Sequence, residues 1–168
     1  GKTPRSNPAT YTGLFDELRK LFAATKEAKF RNLKAGAFSF NNKEGQCDLC
    51  KGSGVIKTGM HLFQDLIQIC SKCNGRQYKK EILQVKWNQK SIHDILSLSV
   101  NEAAELFQNH VKIMEHISAL KILGLGYLKL GQSSTTLSGG EAQRIKLAKH
   151  FAGTSKKNSL ILLDEPTT

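Results

Sequence analysis

All four cysteines of the chain fall in two Cys-x-x-Cys pairs, Cys47-Asp48-Leu49-Cys50 and Cys70-Ser71-Lys72-Cys73, with 19 residues between them. That spacing lies within the four-cysteine zinc pattern. Two residues between thiolates allow a tight turn that aims both sulfurs at one ion, and Gly52, Gly54 and Gly75 supply the left-handed backbone needed to curl around it. Four soft ligands leave no open coordination position. The expectation is therefore a structural Zn²⁺ on Cys47, Cys50, Cys70 and Cys73, not a catalytic one. The competing readings are paired disulfides, which a cytosolic redox poise disfavours, and a thioredoxin-like redox pair, which needs only one Cys-x-x-Cys. Metal binding would contribute about 10–16 kcal/mol of folding free energy to a module too small and polar to fold alone.

The chain has 168 residues, 39% of them apolar, enough to bury a core for one domain or for one domain carrying a small module. Its longest aliphatic run is Leu160 to Leu163, far short of the ~20 residues of a membrane helix, and no secretory signal is legible. A cytoplasmic protein with no membrane partner is expected. Twenty-five Lys and Arg against 14 Asp and Glu leave a net charge of +11. That excess favours polyanionic partners, since each neutralised phosphate releases counterions, although a Lys-rich coding bias would produce the same total. Lys57, His61, Phe63, Lys72, Arg76, Lys79 and Lys80, in and just after the cysteine segment, fit either a nucleic-acid-facing finger or a plain solvated surface. His61 reads as a surface histidine and not as a fifth ligand.

Pro4 and Pro8 mark an extended arm, after which Leu14, Phe15, Leu18, Leu21 and Phe22 recur at helical spacing. Between Gly36 and Trp87 the pattern turns to short β-type pieces: Ala37 to Phe40, Val55 to Thr58, Leu62 to Ile69 and Tyr78 to Trp87. Helix starts return at Ser91 with Asp94 and at Ser99 with Glu102, and a helix through Ile113, Met114, Ile117 and Leu120 should stop near Gly124. The expected organisation is an arm and amphipathic helix over 1–35, a zinc module over 36–90, a helical subdomain over 91–136, and a final helix and strand over 137–168.

That last segment carries a second constellation. Leu137-Ser138-Gly139-Gly140-Glu141-Ala142-Gln143-Arg144 opens a helix through about His150, in which Ser138 can cap and Glu141 can answer three residues later. The two glycines leave the backbone N–H groups bare, an anion site suited to phosphate. Downstream, Leu160 to Leu163 reads as a buried strand that delivers Asp164 and Glu165 into a crevice. Asp164 is placed to hold Mg²⁺, and Glu165 to orient or deprotonate an attacking water.

In order, these strings resemble the signature and Walker B motifs of the ATP-binding-cassette superfamily. The start GKTPRSNPA, the cysteine module, Gly131-Gln132-Ser133 and Leu163 to Thr168 narrow the likeness to the UvrA family of excinuclease components, and within it to the second ATPase half. The resemblance implies an α/β fold: a partial ABC-type P-loop NTPase domain with a helical signature subdomain and an inserted β-rich four-cysteine zinc module. It implies an ATP-hydrolysing scanner of double-stranded DNA that finds lesions in bacterial nucleotide excision repair, loads UvrB, and acts as a homodimer. Ser138, Gly139, Gly140 and Glu141 would contact the γ-phosphate of ATP on the opposing half, Asp164 would serve Mg²⁺ and Glu165 hydrolysis.

A phosphate-cradling loop reads Gly-x-x-x-x-Gly-Lys-Ser/Thr and runs into a helix. Gly1-Lys2-Thr3 mimics its tail, but Pro4 and Pro8 block that helix and the upstream glycine is absent. The chain is thus expected to be a fragment that is inactive as an ATPase by itself. A stand-alone zinc-dependent module for nucleic acid or protein is the alternative. Cys47 to Gly54 is a complete Cys-x-x-Cys-x-Gly-x-Gly, as in the DnaJ-type co-chaperones, yet after Cys73 the second glycine is replaced by Gln77. The nucleotide-binding domain of a transporter is a third reading, one in which no cysteine module is expected.

Overall fold

Short polar side chains set where the helices begin. Asn7, Thr25 and Ser99 each hold extended backbone and accept a hydrogen bond from the N–H three residues on, at Thr10, Ala28 and Glu102. In the computed structural model the elements run α1 (Pro8–Thr12), α2 (Leu14–Ala23), α3 (Lys26–Phe30), β1 (Val55–Met60), β2 (Phe63–Ile69), α4 (Lys80–Gln84), α5 (Ile92–Ser97), α6 (Val100–Leu106), α7 (Val111–Ile122) and α8 (Gly139–Gly153). The structure describes Thr3 and residues 5–60 and 63–153. The expected strand at Leu160 to Leu163, with Asp164 and Glu165, lies outside the described residues, as does His61. Among the described residues no helix is long and apolar enough to cross a membrane.

The chain divides into two compact units, residues 19–94 and residues 1–18 with 95–168. In the second of these, α8 packs on α1 and α7, and α7 on α6. Its core includes Leu14, Phe15, Leu18, Val100, Phe107, Ile117, Leu120, Ile145 and Ala148. The end of α7 follows its sequence: Gly124 takes φ +71 and the Leu125 N–H returns to the Leu120 carbonyl, 3.1 Å away.

In residues 19–94 the core is aromatic. Phe22 faces Phe38 with ring centroids 5.6 Å apart, Phe40 meets Tyr78 edge-on at 5.8 Å, and the buried Tyr78 hydroxyl donates to the Phe38 carbonyl at 3.1 Å. Around this core two expected strands are something else. Ala35–Phe38 is a 3₁₀ turn closed by Ala37 N–H to the Lys34 carbonyl, and Ala37, Phe38, Ser39 and Phe40 are all buried. Burial on every side removes the one-face-in alternation that a strand would need. Within Tyr78 to Trp87 the chain forms α4, because Tyr78, Ile82 and Val85 bury at intervals of four and three and not two. The other two β-type pieces pair as the antiparallel hairpin β1–β2, with Val55 opposite Ile69 and a register shift between Thr58 and Met60.

Candidate metal centre and glycine turn

The hairpin carries the two cysteine pairs at its open end. With Val55 opposite Ile69, Cys50 and Cys70 arrive from opposite arms, and the four Sγ atoms lie within 4.8 Å of one another. The shortest separations cross between pairs: Cys47 to Cys70 is 3.9 Å and Cys50 to Cys73 is 3.7 Å. A tetrahedron with metal–sulfur bonds of about 2.3 Å has edges of about 3.8 Å, whereas a disulfide needs about 2.05 Å. The cysteines are free thiols, each no more than 7% exposed. The donor set therefore fits one tetrahedrally held ion, and the disulfide reading does not fit.

The backbone around the sulfurs repeats itself. After each second cysteine comes a left-handed pair, Lys51 (φ 51) with Gly52 (φ 81), and Asn74 (φ 50) with Gly75 (φ 78). A Cβ on Gly52 would fall 1.8 Å from the Phe40 carbonyl oxygen, so that position admits nothing larger. Cys70 N–H donates to Gly54 O at 2.9 Å and Cys47 N–H to Gln77 O at 2.8 Å, so each knuckle is tied to the residue following the other. Gln77 takes φ 71, matching Gly54 at φ 77, and thus occupies in strained form the place of the missing glycine. A left-handed non-glycine residue costs about 1–2 kcal/mol, of which the added freedom of an unfolded glycine cancels part. Gln77→Gly should accordingly raise the stability of the zinc-loaded chain by up to about 1 kcal/mol. A denaturation midpoint that falls would contradict this.

The sulfurs are not equivalent. Burial pushes the Cys70 thiol up, but the N–H groups of Cys73 and Lys72 and the neighbouring sulfurs outweigh it and bring it down to about 7. Burial dominates at Cys73, pushed up to about 12, and raises Cys50 as well, against the Gly54 N–H that lies 3.3 Å from its sulfur. Cys70 is thus the readiest thiolate in the metal-free site. Asp48 takes Lys72 at 3.2 Å and Lys79 at 3.7 Å, and the Lys72 hydrogen bond holds its carboxyl below the ordinary value.

The glycine turn belongs to the other unit. The capping pair forms: Ser138 N–H donates to Glu141 Oε2 at 2.8 Å, and Glu141 N–H to Ser138 Oγ at 3.2 Å. Leu137 is buried beneath the turn, while Ser138, Gly139 and Gly140 are exposed. Among the described residues the N–H groups of Gly139 and Gly140 have no acceptor, as the first turn of a helix allows. A Cβ on Gly140 would meet nothing within 4 Å, and its φ is not left-handed.

Sequence reasoning did not find Tyr127. Its hydroxyl donates to Glu141 Oε1 at 2.5 Å, so both carboxylate oxygens of Glu141 are engaged within the chain. That hydrogen bond, with the Ser138 N–H, holds the Glu141 carboxyl below its usual value and raises the Tyr127 phenol. Fourteen residues separate the pair, and no periodicity links a loop tyrosine to a helix cap.

Comparison with known proteins places both features in one context. UvrABC system protein A of Streptococcus pneumoniae serotype 4 is 52% identical over all 168 residues, and that of Clostridium acetobutylicum is 51% identical. The chain spans 18% of the length of each of these relatives. The crystal structure of UvrA2 from Deinococcus radiodurans superposes on 89% of this chain with a TM-score of 0.84 and 50% identity, and the match covers 18% of that protein. The family described as ABC transporter matches residues 41–168, a span that takes in both cysteine pairs and the glycine turn, and the chain belongs to that family.

Proposed function

We propose that this chain supplies the signature turn and zinc knuckle of an ATP-hydrolysing, DNA-binding protein that recognises damage in bacterial nucleotide excision repair. The observation that carries the reading is the capped, exposed glycine turn opening α8. Glycine in a helix costs about 1 kcal/mol relative to alanine, and at Gly140 neither backbone angle nor neighbouring atoms demand it. Close approach from outside the chain explains it: a side chain there would stand between the bare N–H groups and an incoming phosphate.

In this reading Ser138, Gly139 and Gly140 receive the terminal phosphate of ATP bound to an opposing ATPase half. Glu141, with both oxygens already engaged by Ser138 and Tyr127, keeps the turn in shape. Asp164 holds Mg²⁺, which neutralises phosphate charge when bound, and Glu165 orients the attacking water. Cys47, Cys50, Cys70 and Cys73 hold Zn²⁺ as a structural ion, since four thiolates leave no site for water or substrate.

Likeness to UvrABC system protein A along the whole chain supports the repair setting, with double-stranded DNA as substrate, UvrB as partner, homodimerisation and a cytoplasmic location. The role of Glu165 is tested in a full-length protein carrying this segment. Glu165→Gln should lower ATP hydrolysis by about 100-fold or more while ATP affinity stays within about twofold. Undiminished turnover would remove Glu165 from the chemistry.

A further inference from the structure

Residues 19–94 contain 15 Lys and Arg against six Asp and Glu, so this unit carries +9 of the chain's +11. A Zn²⁺ on four thiolates has charge −2, which leaves an excess of about seven positive charges that the metal does not balance. Beside the second knuckle lies a recess of about 450 Å³ whose walls include Lys72, Arg76, Lys80 and Lys86, with Asn74 and Tyr78, and no carboxylate. Lys72 and Lys86 are paired at its margins, with Asp48 at 3.2 Å and Asp94 at 3.6 Å. Arg76 and Lys80 are exposed and have no ion pair among the described residues. Exposed pairs of the Lys72 and Lys86 kind are worth little, so both ammonium groups can turn inward at small cost.

From this juxtaposition we infer that the recess is a docking site for the phosphodiester backbone of duplex DNA, with Arg76 and Lys80 as the groups that hold a phosphate. The inference rests on the DNA-binding reading above and adds where on the chain the backbone is gripped. Arg76 supplies a planar fork that matches two phosphate oxygens, and Lys80 a mobile point charge. Contacts of this kind position a protein on DNA without reading sequence. The site lies next to Cys73, so the metal that fixes the second knuckle also fixes the recess wall.

The test uses the zinc-loaded 168-residue chain and a fluorescent DNA duplex, with affinity measured by anisotropy across a salt series. The double variant Arg76→Ala/Lys80→Ala should bind at least about tenfold more weakly, with a salt slope smaller by about two, since each lost phosphate contact removes about 0.9. Lys112→Ala/Lys121→Ala removes the same charge from exposed positions on α7 and should change affinity less than about twofold. Equal weakening by both pairs, or retained affinity in Arg76→Ala/Lys80→Ala, overturns the site while leaving the DNA-binding reading intact. A loss of zinc affinity in that variant, with unchanged DNA binding once zinc is saturating, makes these cations a counter-charge for the metal and also overturns it. A wild-type chain that binds no duplex at any salt concentration removes the DNA-binding reading itself.

Discussion

Cys70→Ser should leave the chain without bound zinc and unfold the stretch from Cys47 to the hairpin, and chelation of the wild type should do the same. The only buried side chains packed together there are the four cysteines, with Ile56 partly buried against them. An isolated two-stranded hairpin is marginal in water, and Leu66, Ile67 and Ile69 remain exposed, so burial contributes little. Removing about 10–16 kcal/mol of metal binding therefore exceeds anything else that holds the segment. The aromatic packing of Phe22, Phe38, Phe40 and Tyr78 does not use the metal and should hold α4 in place. Hydrogen exchange checks this: β1 and β2 amides lose protection while α7 amides keep it. A hairpin that stays protected after chelation would show that the ion is dispensable.

Gly140→Asp should separate folding from function in a full-length protein carrying this segment. A carboxylate in the first turn of α8 suits the helix dipole, and aspartate is a better helix residue than glycine, so stability should hold or rise by up to about 1 kcal/mol. Open space around the position removes any steric objection. The same carboxylate would stand against an incoming phosphate and compete for the bare N–H groups. Loss of one such donor set typically costs about 10²–10³ in rate, and ATP hydrolysis should fall at least that far. Melting and ATPase measurements on the one variant decide it, and near-normal turnover would deny the turn its role.

The cysteine site was legible because thiolate spacing is local: two short turns and a hairpin suffice to bring the sulfurs together, and a tetrahedral ion fixes the rest. Capping was legible for the same reason, as Ser91 with Asp94, Ser99 with Glu102 and Ser138 with Glu141 each form within three residues. Ala37 to Phe40 and Tyr78 to Trp87 misled because Phe38, Phe40 and Tyr78 are aromatic residues favoured in strands, yet long-range packing in one core decided their backbone. Tyr127 and the left-handed Gln77 escaped because each is defined by a partner distant in sequence, Glu141 for one and Cys47 for the other.

X-ray absorption at the zinc edge of the chain as isolated tests the tetrathiolate assignment most directly. One zinc per chain surrounded by four sulfurs at about 2.3 Å is the expected result. Nitrogen or oxygen around the metal, or a metal-free chain with sulfur pairs at about 2.05 Å, would contradict it.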